Sequence, residues 1–228
     1  MKAMVAVSKS REWVESEWEE QLGSHKIPSG WQVRYGKLRQ FTASERHNVA
    51  ANEAMWNYDR LLFMDTDQIY PPEYLEMMLA HTEPVVSALN VSRYYPFEMC
   101  IYKYEGELGD NGLRYPKFTA IMPPVEKLFE VDCVGTGALM IDTKVLKELE
   151  HPFFKDIYDS EGCLRHCPDD FYFMWQLAKK GIKVTVDQNI VVKHLSKLVV
   201  SPYNARDYRK AWDKVNSGFG MWKDGKQA

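Results

Sequence analysis

The chain alternates short apolar runs with segments of helical character, which is the pattern of an α/β protein. Four apolar runs in the first half have the length of buried strands: 3–7, 31–35, 60–64 and 85–89. Three segments between and after them predict helices: 12–22, 44–56 and 73–80. Strands that alternate with helices predict an α/β fold with a central mixed, mostly parallel sheet flanked by helices.

The middle of the chain is less regular. Residues 99–104 alternate and predict a strand, 105–112 predict a polar turn, and 115–124 predict irregular chain. Within the helix at 44–56, Ser44 is the expected N-cap. Because His47 stands three residues further on, no capping box is expected.

The last third returns to strands and helices. Two apolar strands flank the segment Gly135-Thr136-Gly137, and a helix is expected over 143–149. Apolar residues spaced by three and four predict a helix over 171–180, with Gly181 just beyond its end. Two strands then follow, at 183–187 and 189–193, and a last helix is expected over 205–215.

Polar residues that could bind a ligand or take part in catalysis follow the predicted strands. Asp65, Thr66 and Asp67 come directly after the strand at 60–64, at the sheet edge where open α/β folds bind ligands. Ser8 and Ser10 follow the first strand and predict contacts to a base or ribose. A plain helix cap explains these serines equally well.

Further candidates follow along the chain. Arg46 and Asn48 lie in the first turns of their helix, where exposed N–H groups favour phosphate. Glycines such as Gly135 and Gly137 let a backbone approach a ligand closely. Asp169 and Asp170 open a helix, where acids also suit the helix dipole.

The order of these features resembles GT-A fold glycosyltransferases, in particular the family 2-like enzymes of small bacterial or phage type. The resemblance covers about residues 3 to 195 and rests on the acidic pair, the Gly-rich strand pair, the acidic helix start and the terminal His194. It implies a single GT-A domain, with a nucleotide-binding half at 1–90 and an acceptor half at 91–195. Residues 196–228 would be a basic tail and a possible lid.

The resemblance also implies a mechanism. Asp67 and His194 would bind Mn²⁺ or Mg²⁺, and Asp65 would face the ribose or bind the metal through water. The donor would be a nucleotide-diphosphate sugar, with a UDP-sugar favoured. Asp170 would be the catalytic base of an inverting transfer, with Asp169 the second candidate.

The resemblance also assigns the remaining contacts. Arg46 and Asn48 correspond to the Arg-Asn element of many such enzymes, with His47 inserted between them. The Gly135-Thr136-Gly137 segment would lie under the donor sugar and face the acceptor, and the loop with Arg93 would face the site.

Alternatives remain open at this stage. A haloacid dehalogenase-type phosphotransferase would use Asp65 as nucleophile, and a sugar nucleotidyltransferase shares the broad fold. A non-catalytic glycan- or nucleotide-binding module is compatible with the aromatic content of 13%. A retaining transfer is open as well, as is a zinc cluster at Cys163, His166 and Cys167.

Composition limits these possibilities only slightly. The 228 residues carry a net charge of −3, which gives no overall signature of nucleic-acid binding. From Leu195 onward the charge is +4, so the tail permits a polyanionic acceptor such as modified DNA. Four cysteines, no signal peptide and no apolar stretch of spanning length predict a cytoplasmic protein without a membrane span.

Overall fold

The structure is a computed structural model that describes residues 1–8, 15–38, 42–92, 98–110, 112–159, 162 and 165–195. The strands of this part are β1 (Lys2–Ser8), β2 (Gln32–Leu38), β3 (Arg60–Asp65), β4 (Gln68–Ile69), β5 (Val85–Leu89), β6 (Ile101–Asp110), β7 (Leu113–Ala120), β8 (Leu128–Val131), β9 (Cys133–Val134), β10 (Ala138–Asp142), β11 (Ile157–Tyr158), β12 (Arg165–Cys167), β13 (Val184–Val191) and β14 (Lys193–His194). Its helices are α1 (Glu15–Ser24), α2 (Ala43–Asn57), α3 (Tyr74–Ala80), α4 (Thr143–Leu146) and α5 (Asp169–Lys179). Ser10, Arg93, Cys163 and the predicted helix at 205–215 lie outside the described residues.

A seven-stranded sheet in the order β2-β1-β3-β10-β5-β13-β8 forms the centre of the fold. β1 pairs in parallel with β2 and β3, and β13 pairs in parallel with β5. β10 runs antiparallel between β3 and β5, and β8 runs antiparallel at the edge. Five of the seven strands therefore point the same way, and the predicted fold class, α/β with a central mixed, mostly parallel sheet, is confirmed.

Helices cover both faces of this sheet because successive side chains of a strand point to opposite faces. In β3, Leu61 and Phe63 pack in the cluster that contains the buried residues of α2 and α5. Leu62 and Met64 pack in the other cluster, with α3. Both faces of β3 are thus buried, which explains its unbroken apolar sequence.

The predictions of a turn at 105–110 and of irregular chain at 115–120 are wrong. These residues belong to a long hairpin in which β6 pairs antiparallel with β7, and the chain reverses near Gly112, whose φ is +83°. The sequence did not indicate this strand pair, because many of its side chains are polar and exposed. The pairing depends on contacts between the two strands. An example is the ion pair between Lys117 and Glu105 at 2.8 Å. Residues 121–124 are irregular, as predicted.

Two further predictions need correction. The two strands expected at 183–187 and 189–193 are one strand, β13, whose register against β5 shifts between Asp187 and Val191. The N-cap of α2 is Thr42, not Ser44. Its hydroxyl accepts a hydrogen bond from the Glu45 amide at 3.2 Å, and the Glu45 carboxylate accepts one from the Thr42 amide at 3.0 Å, so a capping box is present.

We expect Thr42→Ala to lower the free energy of unfolding by about 1 kcal/mol, because it removes the side-chain half of this capping box. Ser44→Ala is the matched control, since Ser44 lies inside the helix; its hydroxyl is 3.3 Å from that of Thr42, but the side-chain cap belongs to Thr42. Urea unfolding of both variants measures the difference. A larger loss in Ser44→Ala would contradict the assignment of the cap.

Candidate active site

The acidic segment lies at the edge of the sheet where the parallel strands end. Asp65 is the last residue of β3, and in the pairing of β3 with β1 it stands beside Ser8. Thr66 and Asp67 form the turn into β4, and both are buried. The sequence-predicted group of Ser8, Asp65, Thr66 and Asp67 therefore occupies one place in the fold.

The Gly-rich turn lies directly against this acidic segment. Ala138 pairs with Met64 across β10 and β3, which brings Gly137 next to Asp65. A Cβ atom on Gly137 would lie 2.4 Å from the Nε2 atom of Gln68 and 2.6 Å from the Oδ2 atom of Asp65. The Asp65 carboxylate thus uses space that only a glycine leaves open, whereas a Cβ on Gly135 would meet its nearest atom, the Cys100 Cβ, at 3.9 Å.

Tyr70 ties the acidic turn to the Gly-rich turn. Its buried hydroxyl accepts a hydrogen bond from the Asp65 amide at 2.7 Å and donates one to the Gly137 carbonyl. The same hydroxyl lies 3.0 Å from the Oε1 atom of Gln68. One side chain therefore holds both segments in register, and sequence analysis did not single it out.

His194 reaches the acidic turn from the far end of the described chain. β14 pairs with β4, with His194 opposite Gln68, and the Leu195 amide donates to the Asp67 carbonyl at 2.8 Å. The His194 Nε2 atom lies 3.5 Å from the Oδ1 atom of Asp67. Its Nδ1 donates to the Val91 carbonyl at 2.8 Å. Burial lowers the pKa of His194. The hydrogen bonds to Asp67 and Val91 and the charge of Asp67 raise this pKa by more than burial lowers it, so the net shift is upward.

The two acids of α5 have different surroundings. Asp169 is buried, and its Oδ2 atom lies 2.7 Å from the Nδ1 atom of His47. One oxygen of the Asp170 carboxylate accepts a hydrogen bond from the Phe171 amide at 2.9 Å. Burial, and then the neighbouring Asp169 charge, raise the pKa of Asp170 to about 7.

His47 links the two groups of acids. Its charge lowers the pKa of both Asp65 and Asp170, which it can do because it lies between β3 and the start of α5. Sequence analysis treated it only as an inserted residue between Arg46 and Asn48. A signal was available, however: His47 shares the buried face of α2 with three alanines, at 50, 51 and 54, and a polar side chain on such a face needs a buried partner.

Arg46 and Asn48 differ in what they contact. The Arg46 charge lowers the pKa of Asp65, so its guanidinium acts on the acidic segment. The Asn48 side chain donates to the Ser44 and Phe154 carbonyls and accepts from the Phe154 amide at 3.2 Å. These bonds fasten the chain around Phe154 to α2, and a contact from Asn48 to a nucleotide stays a prediction.

The electrostatic balance at Asp65 is unfavourable to its charge. Burial is the largest cause and the nearby Asp67 the next, and together they raise the pKa of Asp65 to about 6. His47, His194 and Arg46 offset part of this shift. Excess negative charge at a partly buried edge favours the binding of a cation.

The donor atoms fit a site that a cation would share with a ligand. Among the described residues, no three His, Cys, Asp or Glu side chains converge as a complete metal site. Asp67 and His194 offer one carboxylate and one imidazole, and Mg²⁺ and Mn²⁺ in proteins often use one or two carboxylates and complete their shell with water and substrate phosphates. The Nδ1–H bond of His194 to Val91 also matches the way metal-binding histidines are usually oriented.

No protein-family model matches the chain, and no curated protein matches it by sequence. Among solved structures it resembles A197 from STIV, with a TM-score of 0.56, 14% identity and 85% of both chains covered, which shows a shared fold and no more. GalNAc-T7 solved with UDP, GalNAc and Mn²⁺ gives a TM-score of 0.49 at 12% identity, over 98% of this chain and 48% of that one. TarS from S. aureus with UDP-GlcNAc gives 0.46 at 13% identity, over 95% of this chain and 65% of that one. The chain thus spans about half of the GalNAc-T7 chain, and at TM-scores below 0.5 these two likenesses decide nothing.

Two other expectations concern membranes and thiols. In the described ranges no helix has the length and apolar character needed to cross a membrane. Cys100, Cys133 and Cys167 are free thiols, and burial, as the main cause, raises the pKa of each. These thiols are therefore poor nucleophiles near neutral pH.

We expect Gly137→Ala to destabilise the fold by about 1–3 kcal/mol, because the new methyl group overlaps Gln68 and Asp65 in a packed edge. Gly135→Ala is the matched control and should change the free energy of unfolding by less than about 0.5 kcal/mol. Urea unfolding at neutral pH compares the two. Equal effects would show that the close approach at Gly137 is not a constraint.

Proposed function

We propose that the protein is a metal-dependent glycosyltransferase that moves a sugar from a nucleotide-diphosphate sugar, with a UDP-sugar favoured, to a hydroxyl acceptor. The single observation that carries the proposal is the meeting of three chain segments at one sheet edge. Asp65 and Asp67 lie there against the Gly135–Gly137 turn, with His194 3.5 Å from Asp67. Such a group suits a ligand with two phosphates and a sugar.

Asp67 and His194 are proposed to hold Mn²⁺ or Mg²⁺, with Asp65 facing the ribose or binding through water. The cation, when bound, would stabilise the negative charge of the diphosphate leaving group. Arg46 would add positive charge on the phosphate side, in keeping with its effect on the pKa of Asp65. Ser8, Ser10, Asn48 and Thr66 are proposed to complete the nucleotide contacts.

The acceptor hydroxyl must lose a proton as it attacks, and Asp170 is proposed as the general base of an inverting transfer. A base works best when its pKa lies near the working pH, and that of Asp170 is about 7. Asp169 is the weaker candidate because its carboxylate is buried against His47. Gly135, Thr136, Gly137 and Arg93 are proposed to contact the sugar and the acceptor.

The domain proposal follows from this assignment. Residues 1–90 would bind the nucleotide, 91–195 would hold the acceptor and the base, and the basic tail at 196–228 would cover the donor. A polyanionic acceptor such as modified DNA fits the charge of that tail. Acceptor binding should then weaken steeply with salt, and we propose a cytoplasmic location.

We expect the protein to hydrolyse one sugar nucleotide slowly in the presence of Mn²⁺ without an acceptor, with UDP-glucose tested first. Release of the nucleotide should be lost in EDTA and in Asp67→Ala, because both remove the metal. Glu105→Ala is the control, since Glu105 pairs with Lys117 on the exposed hairpin. No release and no thermal shift with any nucleotide would refute the proposal and favour a glycan-binding module.

We expect the rate of transfer to rise with pH through about 7, because the Asp170 carboxylate must be ionised to accept a proton. The raised pKa of Asp170 also makes the free energy of unfolding depend on pH. A carboxyl group whose pKa is raised on folding favours the folded state at low pH, and that contribution is lost as pH rises from about 4 through 7.

Asp170→Asn should therefore abolish most transfer and raise the thermal midpoint at pH 8 relative to the native chain, with little gain at pH 4. A pH–rate profile and thermal unfolding at both pH values measure this. The groups that act on the pKa of Asp170 include Asp169, His47 and Arg165. A base with a pKa near 7 changes its ionisation between pH 6 and 8, and the rate should change with it. A rate that does not depend on pH in this range would argue against Asp170 as the base.

A further inference from the structure

A buried hydrogen-bonded pair joins α2 to the start of α5. The Nδ1 atom of His47 and the Oδ2 atom of Asp169 lie 2.7 Å apart, and their side chains are only 5% and 8% exposed. A polar pair this deep must be well satisfied, since an unpaired polar group there would be costly. The bond between His47 and Asp169 is separate from the contact between Asp67 and His194.

The imidazole ring of His47 is held on two sides by aromatic rings. Phe63 of β3 contacts it edge-on at 4.9 Å between centroids, and Phe154 lies at 5.0 Å. Phe154 in turn stacks on Phe173 of α5, at 4.6 Å and an interplanar angle of 11°. The ring therefore cannot turn away without moving β3, α5 or the segment between α4 and β11.

The neighbouring Asn48 strengthens this arrangement. Its side-chain amide and carbonyl bind the Phe154 backbone in both directions, at 2.6 Å and 3.2 Å. The backbone on one side of the imidazole is thus tied to the same helix that carries His47. The direction of the His47 side chain is consequently set before any ligand binds.

Successive residues of a helix point about 100° apart, so fixing Asp169 also fixes where Asp170 points. Asp169 faces inward to His47, and Asp170 is turned away from that bond, with one oxygen on the Phe171 amide. The two acids thus differ: Asp169 bonds to α2, and Asp170 takes no part in that bond.

We propose that His47 is a positioning residue, whose hydrogen bond to Asp169 holds the first turn of α5 so that Asp170 meets the acceptor hydroxyl. The inference rests on the proposed function, because it presumes that Asp170 is the base. It adds a role for His47, to which the proposed function gives none, and a role for Asp169 other than that of the weaker candidate base. An error of about 1 Å in placing a base can lower the rate by on the order of a hundredfold.

His47→Phe keeps an aromatic ring but removes the N–H group that bonds to Asp169. His47→Asn keeps an N–H group near the position of Nδ1 but removes the ring. We expect His47→Phe to lower kcat by about 10- to 100-fold while KM for the donor changes less than about twofold. His47→Asn should recover much of the lost kcat. Asp169→Ala removes the same bond from the other side and should lower kcat like His47→Phe, with little further loss in the double variant.

Leu177→Ala is the stability control, because Leu177 is fully buried in the same helix and lies beyond the first turn. It should lower the thermal midpoint at least as much as His47→Phe and leave kcat within about threefold. A second readout does not depend on activity: hydrogen exchange of the Tyr172, Phe173 and Met174 amides should be faster in His47→Phe and near native in His47→Asn.

The outcomes separate two failures. If the native chain transfers no sugar from any donor, the proposed function fails, and the role of His47 in that reaction fails with it. If the native chain is active but His47→Phe, His47→Asn and Leu177→Ala lower kcat alike, His47 serves the fold alone and the inference is overturned. Unchanged hydrogen exchange in both His47→Phe and Asp169→Ala would overturn it as well.

Discussion

The insertion of β10 between β3 and β5 is the constraint on which the site depends. Because β10 runs antiparallel to β3, the Gly-rich turn that precedes it returns to the edge where Asp65 ends its strand. That close approach is possible only because Gly137 has no Cβ to occupy the space of the Asp65 carboxylate. Tyr70 then bonds to both segments. The acidic turn is therefore held both by the position of β10 in the sheet and by the Tyr70 hydroxyl.

The site concentrates negative charge where burial makes it costly. Asp65 and Asp170 both titrate above their ordinary range, for the same first reason, which is burial. The histidines offset part of that cost: His47 acts on both of these acids, and His194 bonds to Asp67. A bound cation would offset the remaining negative charge, which connects the electrostatics to the proposed metal-dependent transfer.

Stability and function are separated by position in this fold. The two apolar clusters on either face of the sheet fill with aliphatic and aromatic side chains, and they hold β3 rigidly. The candidate functional residues lie at the ends of strands and at the first turn of α5. The ends of packed elements therefore carry the candidate functional groups, and His47, Tyr70 and Asn48 link those elements to one another.

Local signals allowed much of this to be predicted. The unbroken apolar run of β3 identified a strand buried on both faces, and the strand at Val85–Leu89 was predicted with its observed limits. The acids that follow β3 could be placed at a sheet edge because parallel strands end together. The cap of α2 was also readable, since Thr42 and Glu45 have the capping-box spacing, and the choice of Ser44 overlooked it.

The sequence alone thus determined the class of fold and the identity of the acidic and glycine-rich segments, because burial and backbone freedom leave local patterns. Only the tertiary structure decided which distant residues meet. Alternation revealed only the start of the hairpin of β6 and β7, at 99–104, because the rest has polar outer positions and depends on cross-strand partners. The bonds from His47 to Asp169 and from His194 to Val91 join residues on separate elements, and only the strand order and the packing of α2 against α5 bring them within reach.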